Sequence, residues 1–234
     1  MRIGLLLCGH VHPDLIATFG DYPVRFTDLL GSHDITIQPY DVVDSPPPPT
    51  HDCDGWLVSG SAASTYEPLP WIAPMEAFLR AAVADGAPTV AICFGHQLLA
   101  QALGGRVEHA PGGWGAGAHR YDLDGGSRAW MGADPPPSVR LIASHQDQVA
   151  LLPKGAELLA RTEHCRVAAY TVGDRALAIQ PHPEYSVELS RQLSATRREV
   201  MGPEVADAAA ASLDQPIDSA LVGRWMAAFL HREN

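Results

Sequence analysis

Residues 88–105, PTVAICFGHQLLAQALGG, limit what this chain can fold into more than any other stretch. The apolar run Val90-Ala91-Ile92 stops at Cys93. Gly95 follows two residues later, and a run of helix formers continues to Gly104-Gly105. The pattern predicts a buried strand, a sharp turn and a helix that ends at Gly104. Such a turn lifts the Cys93 sulfur out of the sheet and over the first backbone N–H groups of the helix. Those donors and the helix dipole favour the thiolate, the form that attacks a carbonyl. The arrangement is the cysteine counterpart of the nucleophile elbow of serine hydrolases. The plainer reading, a small buried hydrophobe at a strand end, describes most free cysteines. This segment alone does not decide between the two.

A second segment bears on the choice. In Ala176-Leu177-Ala178-Ile179-Gln180-Pro181-His182-Pro183-Glu184-Tyr185 an apolar strand again stops, with His182 and Glu184 just beyond it. A catalytic cysteine needs a base, and the base needs a third group to fix its tautomer and orientation. Period-two geometry is expected to put His182 and Glu184 on one side of an extended chain, stiffened by Pro183.

Elsewhere, apolar strands alternate with helices up to residue 105. Strands are expected at residues 3–8, 35–40, 55–58 and 90–92, with helices over 15–30, 70–85 and 94–103. Trp71, Ile72, Met75, Phe78, Leu79 and Val83 fall at helical spacing and read as core. The run Ser45-Pro46-Pro47-Pro48-Pro49-Thr50 reads as a stiff surface connection. From 106 to 175, short apolar runs broken by glycine, proline and aspartate predict antiparallel strands added to the sheet. Residues 187–234 read as helical with a break at Pro216, clearest over 206–213 and 220–230. The fold class is therefore α/β: a mostly parallel central sheet with helices on both faces, appended antiparallel strands and a helical C-terminal extension. Sites in such folds form outside the carboxyl ends of the strands. Cys93, the loop 59–65 and His182 each stand at a predicted strand end.

The chain has 234 residues, 46% of them hydrophobic, enough for one sizeable α/β domain. A net charge of −11 argues against nucleic acid or an anionic membrane surface as partner. Cys8, Cys53, Cys93 and Cys165 show no C-x-x-C spacing, so no zinc or redox motif arises, and scattered cysteines fit a reducing, cytoplasmic location. The apolar start is too short for a signal peptide and reads as the first core strand. No stretch approaches the roughly 20 apolar residues of a membrane span.

On these residues the chain resembles the class I, triad-type glutamine amidotransferases over most of residues 3–185. The family's G-x-C-x-G-x-Q stands here as Ala91-Ile92-Cys93-Phe94-Gly95-His96-Gln97, with Ala91 in place of the first glycine. Its H-P-E stands as His182-Pro183-Glu184, 89 residues after Cys93. The resemblance implies a flavodoxin-like amidotransferase fold over residues 1–190, with 191–234 a helical extension packed on the same domain. It implies that Cys93 attacks a γ-glutamyl amide, that His182 is the base and that Glu184 orients it. Phe94 and the Gly60-Ser61 pair would supply the oxyanion hole, whose donors can each contribute about 3 kcal/mol. The site is expected to lean on Gly60 for flexibility. Gln97 would contact the glutamyl part, and Ser144-His145-Gln146-Asp147 would hold its α-amino and α-carboxylate groups.

The likeness is greatest to the stand-alone, GMP-synthase-like branch, through Ser59-Gly60-Ser61, Thr65-Tyr66, Pro70-Trp71-Ile72, Gly113-Trp114-Gly115 and His145-Gln146-Asp147-Gln148-Val149. That branch includes γ-glutamyl peptidases. Two activities follow: release of ammonia from glutamine for a separate synthetase subunit, or hydrolysis of glutathione-like γ-glutamyl compounds. A non-catalytic module would have been expected to lose a triad member. No cofactor or metal is called for. His10, His12 and Asp14 have ligand-like spacing but read as polar surface. His96 is expected to point away from the sulfur, His145 lacks a partner acid, and His164-Cys165 reads as strand or turn. Leu221, Trp225, Met226, Phe229 and Leu230 are expected to pack on the domain itself.

Overall fold

The computed structural model describes residues 1–124, 126 and 128–232. Its strands are β1 (Arg2–Leu7), β2 (Thr36–Asp41), β3 (Gly55–Val58), β4 (Thr89–Ile92), β5 (Arg106–His109), β6 (Gly115–Leu123), β7 (Ser138–His145), β8 (Asp147–Leu151), β9 (Ala156–Arg161), β10 (Ala169–Val172) and β11 (Ala176–Ile179). The helices are α1 (Pro13–Phe19), α2 (Tyr22–Leu30), α3 (Ile72–Asp85), α4 (Phe94–Ala102), α5 (Val187–Thr196), α6 (Arg198–Met201), α7 (Pro203–Ser212) and α8 (Ser219–Leu230).

Nine strands form one sheet in the order β2-β1-β3-β4-β11-β10-β9-β6-β7, while β5 and β8 pair separately. From β2 to β11 the neighbours run parallel; from β11 to β7 they alternate. The central strands β3, β4 and β11 are buried at every position. This is why they read as continuous apolar runs rather than as alternating ones. Their residues divide between two cores by period two. Leu5, Leu57, Val90, Leu177 and Ile179 face α1, α2, α5 and α8, whereas Leu6, Trp56, Val58, Ala91 and Ala178 face α3 and α4.

Two expectations change in detail. The single helix over 15–30 is two helices. Gly20, at φ +74°, breaks it, and Asp21 turns back to accept the Val11 N–H at 2.9 Å. A backbone break of this kind leaves the apolar spacing on either side intact. The helical reading of 187–234 becomes four helices, and Glu233 and Asn234 lie outside the described residues. The extension is fastened to the sheet and its covering helices. Ser212 Oγ on α7 accepts the Ala118 N–H at 2.8 Å, and Trp225 Nε1 on α8 donates to the Met131 carbonyl at 3.0 Å.

Helix α4 sits tightly on β3. A Cβ on Gly95 would lie 2.8 Å from Val58 Cβ and 2.9 Å from the Val58 carbonyl oxygen. Neither can move without shifting the strand. Gly95→Ala is therefore expected to lower stability by about 1–3 kcal/mol, read as a fall in urea midpoint at unchanged m value. Wild-type stability in this variant would show that the spacing is not required.

Candidate active site

Cys93 follows the last residue of β4 and caps α4, with φ +52° and ψ −103°. Among the described residues only one other non-glycine, Asp34, has positive φ. Such a conformation costs on the order of 1–3 kcal/mol and persists only when its surroundings over-determine it. Here three backbone hydrogen bonds do so. The Cys93 N–H donates to the Ile179 carbonyl at 2.9 Å, the Gln97 N–H to the Cys93 carbonyl at 3.1 Å and the Gly95 N–H to the Ser59 carbonyl at 3.2 Å. Phe94 opens the helix, so its N–H has no intrahelical acceptor. Gln180 Nε2 donates to Cys93 Sγ at 3.6 Å.

His182 lies at the adjacent strand end, where its N–H donates to the Ile142 carbonyl of β7 at 2.7 Å. His182 Nδ1 and Glu184 Oε1 are 2.7 Å apart, with both side chains almost fully buried. The pair forms as expected but not by extended geometry. Residues 182–185 make a turn, closed by the Tyr185 N–H on the His182 carbonyl at 3.4 Å, with Pro183 in its second position. The turn also lays the Tyr185 ring flat on the imidazole, centroids 4.0 Å apart and planes 7° apart. The Tyr185 hydroxyl meets that of Tyr22 at 3.1 Å. Burial works against a charged His182, but Tyr185, Cys93 and Glu184 outweigh it and raise its pKa well above the usual value. The Tyr185 phenol is itself pushed up by burial. The neutral phenol presents its electron-rich ring face to the imidazole, which favours a proton taken up there.

The loop after β3 approaches from the other side. Gly60 is not in a left-handed conformation; it is needed for space rather than flexibility. A Cβ there would lie 2.7 Å from the Tyr22 hydroxyl and 3.0 Å from His182 Cε1. Ser61 and Ser64 line a cavity of about 380 Å³ together with Cys93, Gln97, His182 and Tyr185.

Ser144, His145, Gln146 and Asp147 line the same cavity, but as the β7–β8 corner rather than a free loop. The Asp147 carboxylate accepts Tyr66 OH at 2.9 Å and Ser64 OH at 2.5 Å. Gln97 Nε2 donates to the Asp147 carbonyl at 2.8 Å and to Gln180 Oε1 at 3.1 Å, so both of its amide hydrogens are engaged within the protein. Any contact it makes to a ligand falls to its carbonyl oxygen. The Gln146 carbonyl accepts the Ala110 N–H at 2.7 Å. Burial, with His164, His182 and other histidines nearby, pushes the His145 pKa down to about 3. A neutral His145 is a hydrogen-bonding wall, not a base.

His10 and His12 also line the cavity, while His10 stays exposed as a surface residue would. His10 Nδ1 binds Asp21 at 2.6 Å, which raises its pKa against a smaller burial effect, and its Nε2 lies 3.5 Å from Asp41. Among the described residues no group of three or more such side chains could hold a metal ion. His96 packs on Tyr170, away from the cavity, and His164-Cys165 forms a turn closed by the Cys165 N–H on Thr162 Oγ1 at 2.7 Å. No described helix is long and apolar enough to cross a membrane.

The family model "Glutamine amidotransferase class-I" matches residues 29–195. The chain belongs to the class I glutamine amidotransferase family. It is 32% identical to Gamma-glutamyl peptidase 4 of Arabidopsis thaliana over 178 residues, 74% of this chain and 71% of that protein. It is 38% identical to a GMP synthase [glutamine-hydrolyzing] of Burkholderia cenocepacia over 136 residues, 55% of this chain but 24% of that one. The crystal structure of a glutamine amidotransferase from Methylobacillus flagellatus superposes with a TM-score of 0.74 at 26% identity, covering 98% of this chain and 91% of the other.

In this class I amidotransferase, sequence reasoning passed over Tyr22, Gln180, Arg197 and the stacking of Tyr185. Gln180 had a signal, lying between an apolar strand and His182. The others come into contact only through tertiary packing. Its buried histidines carry a pH signature. Burial pushes His96 down to about 3, with the Ala178 and Val167 carbonyls only partly opposing it. Below pH 6.5 the unfolded chain protonates this ring while the folded one does not, so stability is lost as pH falls from 6.5 toward 3. The stability difference between His96→Leu and wild type should move in the variant's favour by about 1.4 kcal/mol per pH unit between pH 6 and 4. Urea unfolding of both proteins across that range checks it; a pH-independent difference would mean that His96 titrates normally.

Proposed function

We propose that the protein is a cysteine hydrolase that cleaves the C–N bond of γ-glutamyl amides. The observation that carries this reading is the buried 2.7 Å His182–Glu184 pair beside a cysteine held at φ +52° above a helix N-terminus. Cys93 Sγ gives its proton to His182 and forms a C–S bond to the γ-carbonyl carbon. Negative charge collects on the carbonyl oxygen, where the Phe94 N–H and an N–H of the Gly60-Ser61 loop can meet it. His182 passes the proton to the departing nitrogen, the C–N bond breaks, and a γ-glutamyl thioester remains. Water, deprotonated by His182, attacks that thioester. The C–S bond breaks, glutamate leaves and the thiol regains its proton.

Glu184 holds Nδ1, so Nε2 is the nitrogen that exchanges protons with sulfur and substrate. In this reading Asp147 receives the α-ammonium of the glutamyl group, and Gln146 and His145 shape the pocket around it. The extension, residues 191–234, belongs to the same folding unit in this reading. With glutamine as substrate the leaving group is ammonia, available to a separate synthetase subunit. With a γ-glutamyl peptide it is an amine. The similarity to an Arabidopsis protein named gamma-glutamyl peptidase supports the second.

Acid-quenched mass spectrometry after brief incubation with glutamine or glutathione is expected to show a γ-glutamyl adduct on Cys93. Cys93→Ala should abolish both adduct and turnover. Glu184→Gln should lower kcat by about 10²- to 10⁴-fold. Full activity in Cys93→Ala would remove the assigned nucleophile.

A further inference from the structure

The cavity contains one cation that this chemistry does not use. Arg197 stands at the junction of α5 and α6 and lines the cavity. Its Nη1 donates to Ser144 Oγ at 2.7 Å, and its guanidinium carbon lies 5.7 Å from the centroid of the Trp114 ring. Its neighbours Arg191 and Arg198 are ion-paired with Asp214 and Asp207, but among the described residues Arg197 has no ion pair. The Trp114 indole N–H is buried beside it and also lacks a partner there. His10, which also lines the cavity, already has Asp21 and Asp41 as partners. The carboxylate that lines the cavity, Asp147, is held by Ser64 and Tyr66.

We propose that Arg197, with Ser144 and the Trp114 N–H, forms a subsite for a carboxylate in the leaving half of the substrate. The substrates favoured are then γ-glutamyl amino acids or short peptides with a free C-terminal carboxylate, in preference to glutamine. This rests on the hydrolase reading of Cys93. A planar guanidinium with one N–H spent on Ser144 keeps further donors for a carboxylate, which it binds in forked geometry.

The strand register places the subsite on the leaving side. Ile142 bridges to His182, the group that protonates the departing nitrogen, and Ser144 lies two residues further on the same face of β7, about 7 Å along the strand. That distance suits a carboxylate one or two residues beyond the scissile bond, at about 3.5 Å per residue.

The test compares kcat/KM for γ-glutamylalanine and for its C-terminal amide, with glutamine as a third substrate. Wild type is expected to favour the free acid over the amide by about 10- to 100-fold, the contribution of a charge-assisted contact. In Arg197→Gln the ratio should fall below about threefold, and Arg197→Lys should retain part of it. Since both substrates meet the same folded protein, the ratio does not register a general loss of stability. A wild type without preference, or a ratio unchanged in Arg197→Gln, overturns the subsite while leaving the hydrolase intact. Equal losses on all three substrates with the ratio kept would place Arg197 on the glutamyl α-carboxylate and also overturn it. Failure of wild type to cleave any γ-glutamyl compound would instead remove the hydrolase reading, and this inference with it.

Discussion

Ile92 of β4 pairs in parallel register with Ile179 of β11. The chain therefore leaves both strands at the same level of the sheet, and the next residues on each side are Cys93 and Gln180. A one-residue slip would carry Cys93 to the opposite face of the sheet from His182. The hydrogen bond from the Cys93 N–H to the Ile179 carbonyl extends that register into the turn. Strain at Cys93 is tolerated because three strand ends hold it: β4 itself, β11 through Ile179 and β3 through Ser59.

Beyond the reacting groups lies a buried polar relay. Gln97 joins the Asp147 carbonyl to Gln180, and Gln180 reaches the sulfur. In a medium of low polarity such links are strong when complete and costly when broken. The relay explains why a glutamine one turn into α4 is there even if it touches no ligand through its nitrogen: it locks the β7–β8 corner to the elbow. Tyr22 has a similar role on the opposite side, where one hydroxyl meets Tyr185 and crowds Gly60.

The parts of this architecture visible in the amino-acid sequence are those encoded locally. Cys93 and His182 are legible because an apolar run ends at each, and strand ends on one edge of a parallel sheet share a face. The antiparallel additions are legible from their glycine and proline punctuation. Less legible is anything that depends on which side of a turn a neighbour lands. His182 and Glu184 meet, but through a proline turn that an alternating pattern does not reveal. Gly60 reads as a hinge until Tyr22 and His182 are seen on either side of it. The split between α1 and α2 rests on one glycine conformation within a single amphipathic pattern. Arg197 is an ordinary helix-end arginine until the extension folds over Ser144 and Trp114.

The position of β11 has a kinetic side. It is the last strand in the chain, yet it lies near the middle of the nine-stranded sheet, between β4 and β10. During synthesis or refolding, β4 keeps one open hydrogen-bonding edge until residues 176–179 arrive. The pairing that closes it is long-range and correspondingly slow to form. Until then the elbow lacks the Ile179 carbonyl and the imidazole. In the mechanism proposed above, the thiol becomes reactive only when the central slot is filled, so reactivity at Cys93 would report completion of the sheet.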